Sequence, residues 1–417
     1  MLSFNKKYFY LPLLILLCGC STYKDKYDNP AQNNAVTFYR TGNYEDDEGN
    51  KIACYWINEK RIDLTNPSLS KEAWSDKIIV QNDQIYTLGA YIDRNDNYIT
   101  CYWVNKERTD LSLPKEVLVA GTLLVQDGQI YITGMYEDNK GNEIACYWIN
   151  GKKISLDTPP NAKSVQADII LVQDGHIYIT GYYGDLFFHN VCYWVDGKRT
   201  DLGLGFIRCI YVKDDKIYMG GGSYDDKVVS SRKEDDFSDP ICDACYWVNG
   251  EMHKLNIPGR EPKSAVHFIF IQNDNLHIIC NRTSKESDYY NYTASYFVND
   301  KRSDITGFNH SSAHSAFMGD DQIYIACYVA NAYDSYLVGS EKLCYWANGK
   351  IIKIDIPSNA EYPSINRIIV QNGQVYISGT YSQPRNKYTR FYWINGKRTN
   401  FPSRENENVF DSYFVIQ

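Results

Sequence analysis

The sequence of 417 residues lacks the signatures of several protein classes. It has no Gly-x-Ser-x-Gly elbow, no His-Glu-x-x-His motif and no phosphate-binding loop, so three common enzyme signatures are absent. No cluster of Lys and Arg appears in the expected mature chain, and 51 acidic residues outnumber 43 basic ones, so we expect no nucleic acid partner. With 44% hydrophobic and 23% charged residues, the composition excludes collagen, coiled-coil and low-complexity chains and predicts a globular core.

The N-terminus is typical of a bacterial secretory signal. Lys6 and Lys7 precede an apolar run at residues 11–17, which is too short to span a bilayer. The following Leu-Cys-Gly-Cys resembles the bacterial lipobox, and by that resemblance Cys20 carries lipid and becomes the new N-terminus. A plain cleaved signal with an incidental cysteine is the alternative. We therefore expect a signal peptide at 1–19, a lipidated tether at 20–32 and one folded domain at 33–417.

The predicted tether is polar and lacks periodicity, as flexible linkers do. Its charged tract, residues 24–28, resembles those that follow the lipid cysteine in surface-exported lipoproteins of Bacteroidota, and Ser21 is compatible with outer-membrane sorting. Without Lys6 and Lys7 the net charge of −8 becomes −10, so acyl chains rather than attraction to anionic lipid should hold the protein. We expect an outer membrane lipoprotein that faces either the periplasm or the exterior.

A Tyr-Trp (once Tyr-Phe) pair recurs in one setting and defines repeats 1 to 8. Seven of the eight Trp lie in this motif, and Trp74 is the exception. A second motif precedes each pair and is clearest at residues 368–381, IIVQNGQVYISGTY. The eight Tyr-Trp copies begin at Ala53, Thr100, Ala145, Val191, Ala244, Ala294, Leu343 and Arg390.

Each repeat predicts two hairpins, and hence four strands, A to D. Asn372-Gly373 and Asn395-Gly396 are two-residue turns of the kind that needs positive φ. Runs such as CYWI do not alternate apolar with polar residues, so both faces of each small sheet must be covered. Four-stranded sheets stacked between copies of themselves are the blades of a β-propeller.

The phase of the repeats predicts a closed ring. Tyr55 and Tyr392 are 337 residues apart over seven intervals, about 48 per repeat as in propeller arrays, and residues 33–417 hold eight such periods. The chain starts with a strand B that has no strand A (residues 34–44) and ends with a lone strand A (residues 412–417). We predict an all-β, eight-bladed propeller of four-stranded antiparallel blades, closed by pairing of the C-terminal strand with the N-terminal blade, which removes exposed edges. An open solenoid is the alternative.

The repeats resemble kelch-type propeller repeats in period and layout, without the double-glycine kelch signature. A closer resemblance is to the Tyr-Trp-x-Asn-Gly repeats of lipoproteins from Bacteroidota and spirochaetes, in which Val-Tyr-hydrophobic-small-Gly precedes the pair. It covers residues 34–417 and implies a propeller fold, but it implies no activity.

The repeat also explains most of the twelve cysteines, which in a secreted protein otherwise suggest disulfides. Cys280 and Cys327 occupy the strand-B glycine position, and the Cys242–Cys245 pair has no second pair or nearby His, which makes a metal or redox site a weak alternative. Six others share one position and are predicted to be buried small hydrophobes: Cys54, Cys101, Cys146, Cys192, Cys245 and Cys344. We predict no cofactor and no metal.

Function is expected where the repeats differ. The position two residues before each IIVQ-type run predicts a ligand ring at the channel mouth, and solvated strand ends are the alternative. Variable loops between strands B and C, or D and A, predict contacts for a partner. The ring residues are Asp76, Gly121, Asp168, Arg208, His267, His314, Asn366 and Ser412, and the loop residues are Phe187, Phe188, His189, Tyr289, Tyr290 and Tyr292.

The sequence favours a lipid-anchored binding module for an envelope protein or a glycan, acting through these loops. A polysaccharide-active enzyme with carboxylates at the channel mouth is the second hypothesis, since such pairs can come from distant repeats. A purely structural envelope protein is the third. His310 and His314 form His-x-x-x-His in an expected loop, which is weak evidence for zinc.

Overall fold

The computed structural model describes most of residues 36–416, and the described part is all-β without a helix. The described residues are 36–65, 70–112, 118–160, 162–184, 189–225, 242–257, 263–286, 289–299, 301–305, 310–319, 322–330, 342–383, 387–402 and 406–416. The predicted signal peptide, Cys20 and the predicted tether lie outside them.

The strands pair antiparallel in groups of four that follow the sequence repeats. Repeat 1 holds β1 (Val36–Glu45), β2 (Lys51–Ile57), β3 (Lys60–Asp63) and, from the other end of the chain, β31 (Glu407–Ile416). Repeat 2 holds β4 (Ser70–Gln81), β5 (Gln84–Asp93), β6 (Tyr98–Val104) and β7 (Glu107–Asp110). Repeat 3 holds β8 (Leu118–Gln126), β9 (Gln129–Glu137), β10 (Glu143–Ile149) and β11 (Lys152–Ser155).

Repeats 4 and 5 share the long strand β15, whose first half pairs with β14 and whose second half pairs with β16. Repeat 4 holds β12 (Lys163–Gln173), β13 (His176–Gly184), β14 (His189–Val195) and β15 (Lys198–Lys213). Repeat 5 continues with β16 (Lys216–Tyr224), β17 (Cys242–Val248) and β18 (Glu251–Lys254).

Repeats 7 and 8 are separate four-stranded sheets, whereas repeat 6 is joined to repeat 5 by one parallel contact, Cys242 of β17 with Lys263 of β19. Repeat 6 holds β19 (Lys263–Gln272), β20 (Asn275–Glu286), β21 (Tyr289–Val298) and β22 (Lys301–Asp304). Repeat 7 holds β23 (His310–Gly319), β24 (Gln322–Ala330), β25 (Lys342–Ala347) and β26 (Lys350–Ile354). Repeat 8 holds β27 (Glu361–Gln371), β28 (Gln374–Gln383), β29 (Lys387–Ile394) and β30 (Lys397–Pro402).

The Asn of the Tyr-Trp-x-Asn-Gly motif has two structural tasks. Asn395 takes φ of 42° and Gly396 φ of 96°, the left-handed pair that a tight two-residue hairpin requires. The Asn395 side chain also accepts a hydrogen bond from the backbone N–H of Val375 on strand B, at 3.0 Å. The equivalent Asn or Asp side chain accepts the same bond from strand B, at 2.8–3.0 Å, in repeats 1 to 6. These acceptors are Asn58, Asn105, Asn150, Asp196, Asn249 and Asn299.

The Tyr-Trp strands form the core of the repeats. Their indole rings are at most 2% exposed in the first five repeats, at Trp56, Trp103, Trp148, Trp194 and Trp247. The six motif cysteines beside them are buried, as predicted. Clusters of apolar side chains join neighbouring repeats; Ile132 of repeat 3, for example, packs in one cluster with Tyr102 of repeat 2.

The predicted pairing between the two ends of the chain is present. β31 runs antiparallel to β1, with Val36 opposite Ile416. Phe38 of β1 also stacks on Phe401 of repeat 8, with ring centroids 4.9 Å apart. The two ends of the chain are therefore joined by a strand ladder within repeat 1, and repeats 8 and 1 are joined by aromatic packing.

Candidate functional site

Most residues predicted to line a channel mouth lie at β-bulges in the first strand of their repeats. At each of these positions the register with strand B shifts, and the extra residue leaves the ladder. In repeats 3 and 4 two residues lie opposite a single residue of strand B, Gly121 with Thr122 and Asp168 with Ile169. The single extra residues are Asp76, Arg208, His267, His314 and Asn366. We call these positions the bulge set.

The strand-B glycine explains how the bulge is accommodated. A Cβ added to Gly89 would lie 2.1 Å from the backbone oxygen of Trp74, and one at Gly181 would lie 2.2 Å from that of Gln166. The bulged strand thus occupies the space of a side chain. The glycine at the end of the strand-B motif therefore indicates where the bulge lies. Repeats 6 and 7 have the bulge as well but carry Cys280 and Cys327 at this position.

In repeat 1 the bulge lies at Phe410 rather than at the aligned Ser412. The register shift falls between Asp411, opposite Thr41, and Val409, opposite Gly42. Because β31 and β1 are not linked by a turn, nothing in the local sequence fixes their register. The displacement is two residues along β31 and leaves Phe410 50% exposed, and we count Phe410 as the member of the bulge set from repeat 1.

Three neighbouring repeats contribute basic side chains to the bulge set, which we call the basic group: Arg208, His267 and His314. Burial, then the charges of Arg208 and His314, lower the pKa of His267 to about 3. Burial lowers the pKa of His314 as well. Both imidazoles are therefore neutral at pH 7, and the group carries one positive charge, that of Arg208.

Arg208 is a half-buried cation for which the described residues offer no counter-charge. Burial lowers its pKa, and the groups that act against this are Cys242, Tyr224 and Cys209 rather than a carboxylate. Its Nε atom is buried without a hydrogen-bond partner among the described residues. The guanidinium carbon lies 5.1 Å from the centroid of the Phe206 ring. Such an arrangement suits a ligand that supplies the missing anion.

Charges of both signs meet around repeats 8, 1 and 2, in what we call the mixed group: Asp76, Lys77, Arg367 and Asp411. Burial raises the pKa of Asp76 to about 6, opposed by the charge of Lys77 and assisted by that of Asp411. Asp76 also accepts a hydrogen bond from the side chain of Trp74. This contact gives a role to the one Trp outside the repeat motif.

Asp411 is held more firmly than Asp76. Burial raises its pKa, while Lys77, two backbone N–H groups and Arg367 act in the opposite direction. Its carboxylate accepts hydrogen bonds from the backbone N–H groups of Ile78, at 3.2 Å, and of Ser412, at 2.8 Å. Asp411 therefore ties repeat 1 to repeat 2.

The sequence prediction missed Asp411, Lys77 and Arg367. Lys77 and Arg367 each follow a bulge residue directly, so an alignment that included the next position would have found two of the three. Asp411 required the actual register of β31, which no local pattern reports.

Asp168 differs from both groups because burial alone acts on it. Burial raises its pKa to about 7, and no described charge offsets this. Its backbone oxygen accepts hydrogen bonds from the hydroxyls of Thr122 and Thr133, at 2.6 and 2.7 Å, which fix the bulge against repeat 3.

The predicted loop residues are placed differently. Phe187 and Phe188 lie outside the described residues. His189 begins β14 instead of lying in a loop; its ring packs 4.3 Å from that of Tyr182, and its Nε2 lies 3.2 Å from the Ser164 hydroxyl.

The proposed aromatic loop of repeat 6 is an extended hairpin. Tyr289, Tyr290 and Tyr292 lie in β21 and pair with β20 because both strands continue past the usual length. Tyr292 is 38% exposed, and its backbone N–H donates to Nδ1 of His310. His310 and His314 in turn lie on β23, not in a loop.

Within the residues that the structure describes, no three His, Cys, Asp or Glu side chains are grouped so as to hold a metal ion. The same part of the chain contains no helix long and apolar enough to cross a membrane.

Comparison with known proteins gives a likeness of fold. No protein-family model matches the chain, and no curated protein matches it. A puromycin-hydrolysing peptidase of Mycobacterium tuberculosis aligns at 9% identity and a TM-score of 0.49, over 83% of this chain and 55% of that one.

Two further solved structures to which the chain is similar are β-propellers. The β-propeller domain of the Trilobed protease from Pyrococcus furiosus aligns at 13% identity and a TM-score of 0.44, over 79% of this chain and 97% of that one. The six-bladed fucose-recognising lectin of Aleuria aurantia aligns at 13% and 0.31, over 79% and 95%. The present chain spans only about half of the peptidase. At TM-scores below 0.5 these likenesses carry no argument about function.

Proposed function

We propose that the eight repeats close into one eight-bladed propeller that is anchored to a bacterial outer membrane through Cys20 and binds an acidic saccharide at the bulge set. Support for the ring comes from contacts between the first strands of successive repeats, from β31 on β1, and from Phe38 on Phe401. Support for the anchor is the lipobox-like sequence alone.

One observation carries the ligand assignment, the half-buried Arg208 without a described counter-charge. A guanidinium binds a carboxylate through paired, charge-assisted hydrogen bonds, which are stronger than neutral ones. The neighbouring His267 and His314 are neutral at pH 7 and offer ring N–H or N groups to sugar hydroxyls. The exposed Phe410, also in the bulge set, offers an apolar ring of the kind that stacks on a sugar face.

The ligand assignment is tested with two matched probes, an oligogalacturonate and the neutral galacto-oligosaccharide of equal length. We expect the acidic probe to bind at least about tenfold more tightly in calorimetry at pH 7, since a charge-assisted hydrogen bond contributes about 1.5–3 kcal/mol. Arg208→Gln should remove this preference. Arg61→Gln, which changes a surface arginine paired with Asp63, is the control and should leave it. Equal affinity for the two probes, or no binding of either, would reject the assignment.

The anchor is tested separately with Cys20→Ala. We expect the variant to leave the membrane fraction, because the acyl chains are lost. Continued membrane fractionation of this variant would contradict the lipid assignment without touching the saccharide proposal.

A second candidate function, a polysaccharide-active enzyme, is favoured by the carboxylates of the mixed group. A carboxyl with a pKa of about 6, such as Asp76, remains partly protonated near neutral pH and can act as a general acid beside a second carboxylate, here Asp411. Release of reducing ends from a polysaccharide that is lost in Asp76→Asn would favour the enzyme. The third hypothesis, a structural protein, predicts that neither probe binds and no polysaccharide is cut.

A further inference from the structure

Two thiols of repeat 7 face each other across neighbouring strands. Cys327 of β24 lies directly opposite Cys344 of β25 in an antiparallel ladder. Residues so placed have Cα atoms about 4.5–5.5 Å apart, within the 4.4–6.8 Å that a disulfide spans. The two side chains are already hydrogen-bonded to each other.

This juxtaposition occurs in no other described repeat. Opposite the motif cysteines of repeats 1 to 5 lie the strand-B glycines: Gly42, Gly89, Gly134, Gly181 and Gly221. In repeat 6, Cys280 takes the glycine position but faces Ser295. In repeat 8, Phe391 faces Gly379. Only repeat 7 combines cysteine at both positions.

Both thiols are shielded from solvent in the folded chain, with Cys327 0% and Cys344 1% exposed. The hydrogen bond with Cys344, together with burial, raises the pKa of Cys327 well above its usual range. Because the thiolate is the reactive form, folded repeat 7 resists both oxidation and reduction. Any bond between these sulfurs must therefore form while β24 and β25 are still open to solvent.

We propose that Cys327 and Cys344 form a disulfide when the chain folds after export. The proposal rests on the predicted export signal, because disulfides persist in oxidising compartments outside the cytoplasm. It is independent of the saccharide site. The bond would fix β25 to β24, which pairs with the strand that carries His314.

The oxidant required is a disulfide-bearing thiol oxidoreductase or a small-molecule disulfide. One cysteine, as thiolate, attacks the oxidant disulfide and forms a mixed disulfide, releasing the first thiol of the oxidant. The second cysteine then attacks the protein-side sulfur and releases the second thiol. Two electrons and two protons pass from the cysteine pair to the oxidant, which leaves as a dithiol or as two thiols.

The test uses full-length protein exported by its own signal, quenched with iodoacetamide in denaturant and digested without reductant. We expect one linked peptide pair that joins Cys327 to Cys344, about 2 Da lighter than the sum of the reduced peptides because two hydrogens are lost. Cys280 should be recovered alkylated. Recovery of both Cys327 and Cys344 as alkylated thiols, or of either in another pairing, overturns the proposal.

A second measurement compares melting temperatures with and without a strong reductant present during refolding. We expect the reductant to lower the melting temperature of the wild type and to have no effect on Cys327→Gly, which carries the residue of most other repeats at this position. Cys280→Gly is the matched control and should keep the wild-type response. A reductant effect that survives in Cys327→Gly would contradict the assignment.

Discussion

Two regions of the molecule carry charged side chains at or beside β-bulges, but the charges have different surroundings. They are the basic group in repeats 5 to 7 and the mixed group in repeats 8, 1 and 2. In the mixed group, Asp411 is matched by Lys77, Arg367 and two backbone N–H groups. In the basic group, Arg208 lies near the neutral imidazole of His267 and over the Phe206 ring, and no described carboxylate acts on it. A matched charge holds a fold together, whereas an unmatched one leaves an interaction for a ligand to complete. The difference separates structural from binding roles within one repeated position.

The largest effect is expected from changing the strand-B glycine that accommodates the bulge, and repeat 4, outside both groups, offers the test. Gly181→Ala should lower the free energy of unfolding by about 3–4 kcal/mol, because its Cβ would overlap the bulged backbone and the Trp194 ring. The control is Gly175→Ala, where φ is 80° and no atom lies within 4 Å. Only backbone strain of about 1 kcal/mol is expected there. Equal losses in urea denaturation would mean that the bulge does not need the glycine.

Breaking the mixed group should come next. Lys77→Met removes the cation that acts on both Asp76 and Asp411, and should cost about 3 kcal/mol of unfolding free energy at pH 8. The loss should shrink as the pH falls below 6, where Asp76 becomes protonated. Lys77→Arg serves as the control that keeps the charge. A pH-independent loss would show that Lys77 stabilises by packing instead.

Asp168 tests how burial affects stability when no described charge acts on the carboxyl group. Its folded pKa is raised to about 7, above the ordinary value near 4, so the folded state holds the proton more tightly and stability falls as the pH rises through this window. Asp168→Asn should remove that slope and gain about 2 kcal/mol at pH 8, below the roughly 4 kcal/mol that the full pKa difference corresponds to. Urea titrations at pH 4.5 and 8 measure it, and an unchanged slope would contradict the assignment.

The smallest expected change in stability is that of Arg208→Gln, and it tests the difference between the two groups most directly. Arg208→Gln should stabilise the fold by about 1 kcal/mol, since it removes a half-buried charge that no described residue matches, and it should abolish the preference for the acidic probe. Thermal and urea unfolding of the unliganded variant measure the gain. A clear loss of stability would mean that Arg208 is paired structurally, and the contrast between the two groups would fall.

The sequence was sufficient for the strands, because Asn-Gly turns and apolar runs act locally. It was also sufficient for most of the bulge set: Asp76 and His314 stand at the aligned position because the strand-B residue opposite fixes the bulge. It was insufficient where a long-range register decides, as for Phe410 and Asp411. The sequence also could not predict which charged groups are paired, since the groups that act on Asp411 come from three repeats.

The pairing of β31 with β1 has a consequence for the timing of folding. Val36 pairs with Ile416, which lies far along the chain, so this contact cannot form before β31 has been synthesised. The entropy of closing so long a loop grows only with its logarithm, so the cost falls on rate more than on final stability. We expect a chain that stops before β31 to remain an incomplete, protease-sensitive intermediate, because β1 then lacks its partner strand.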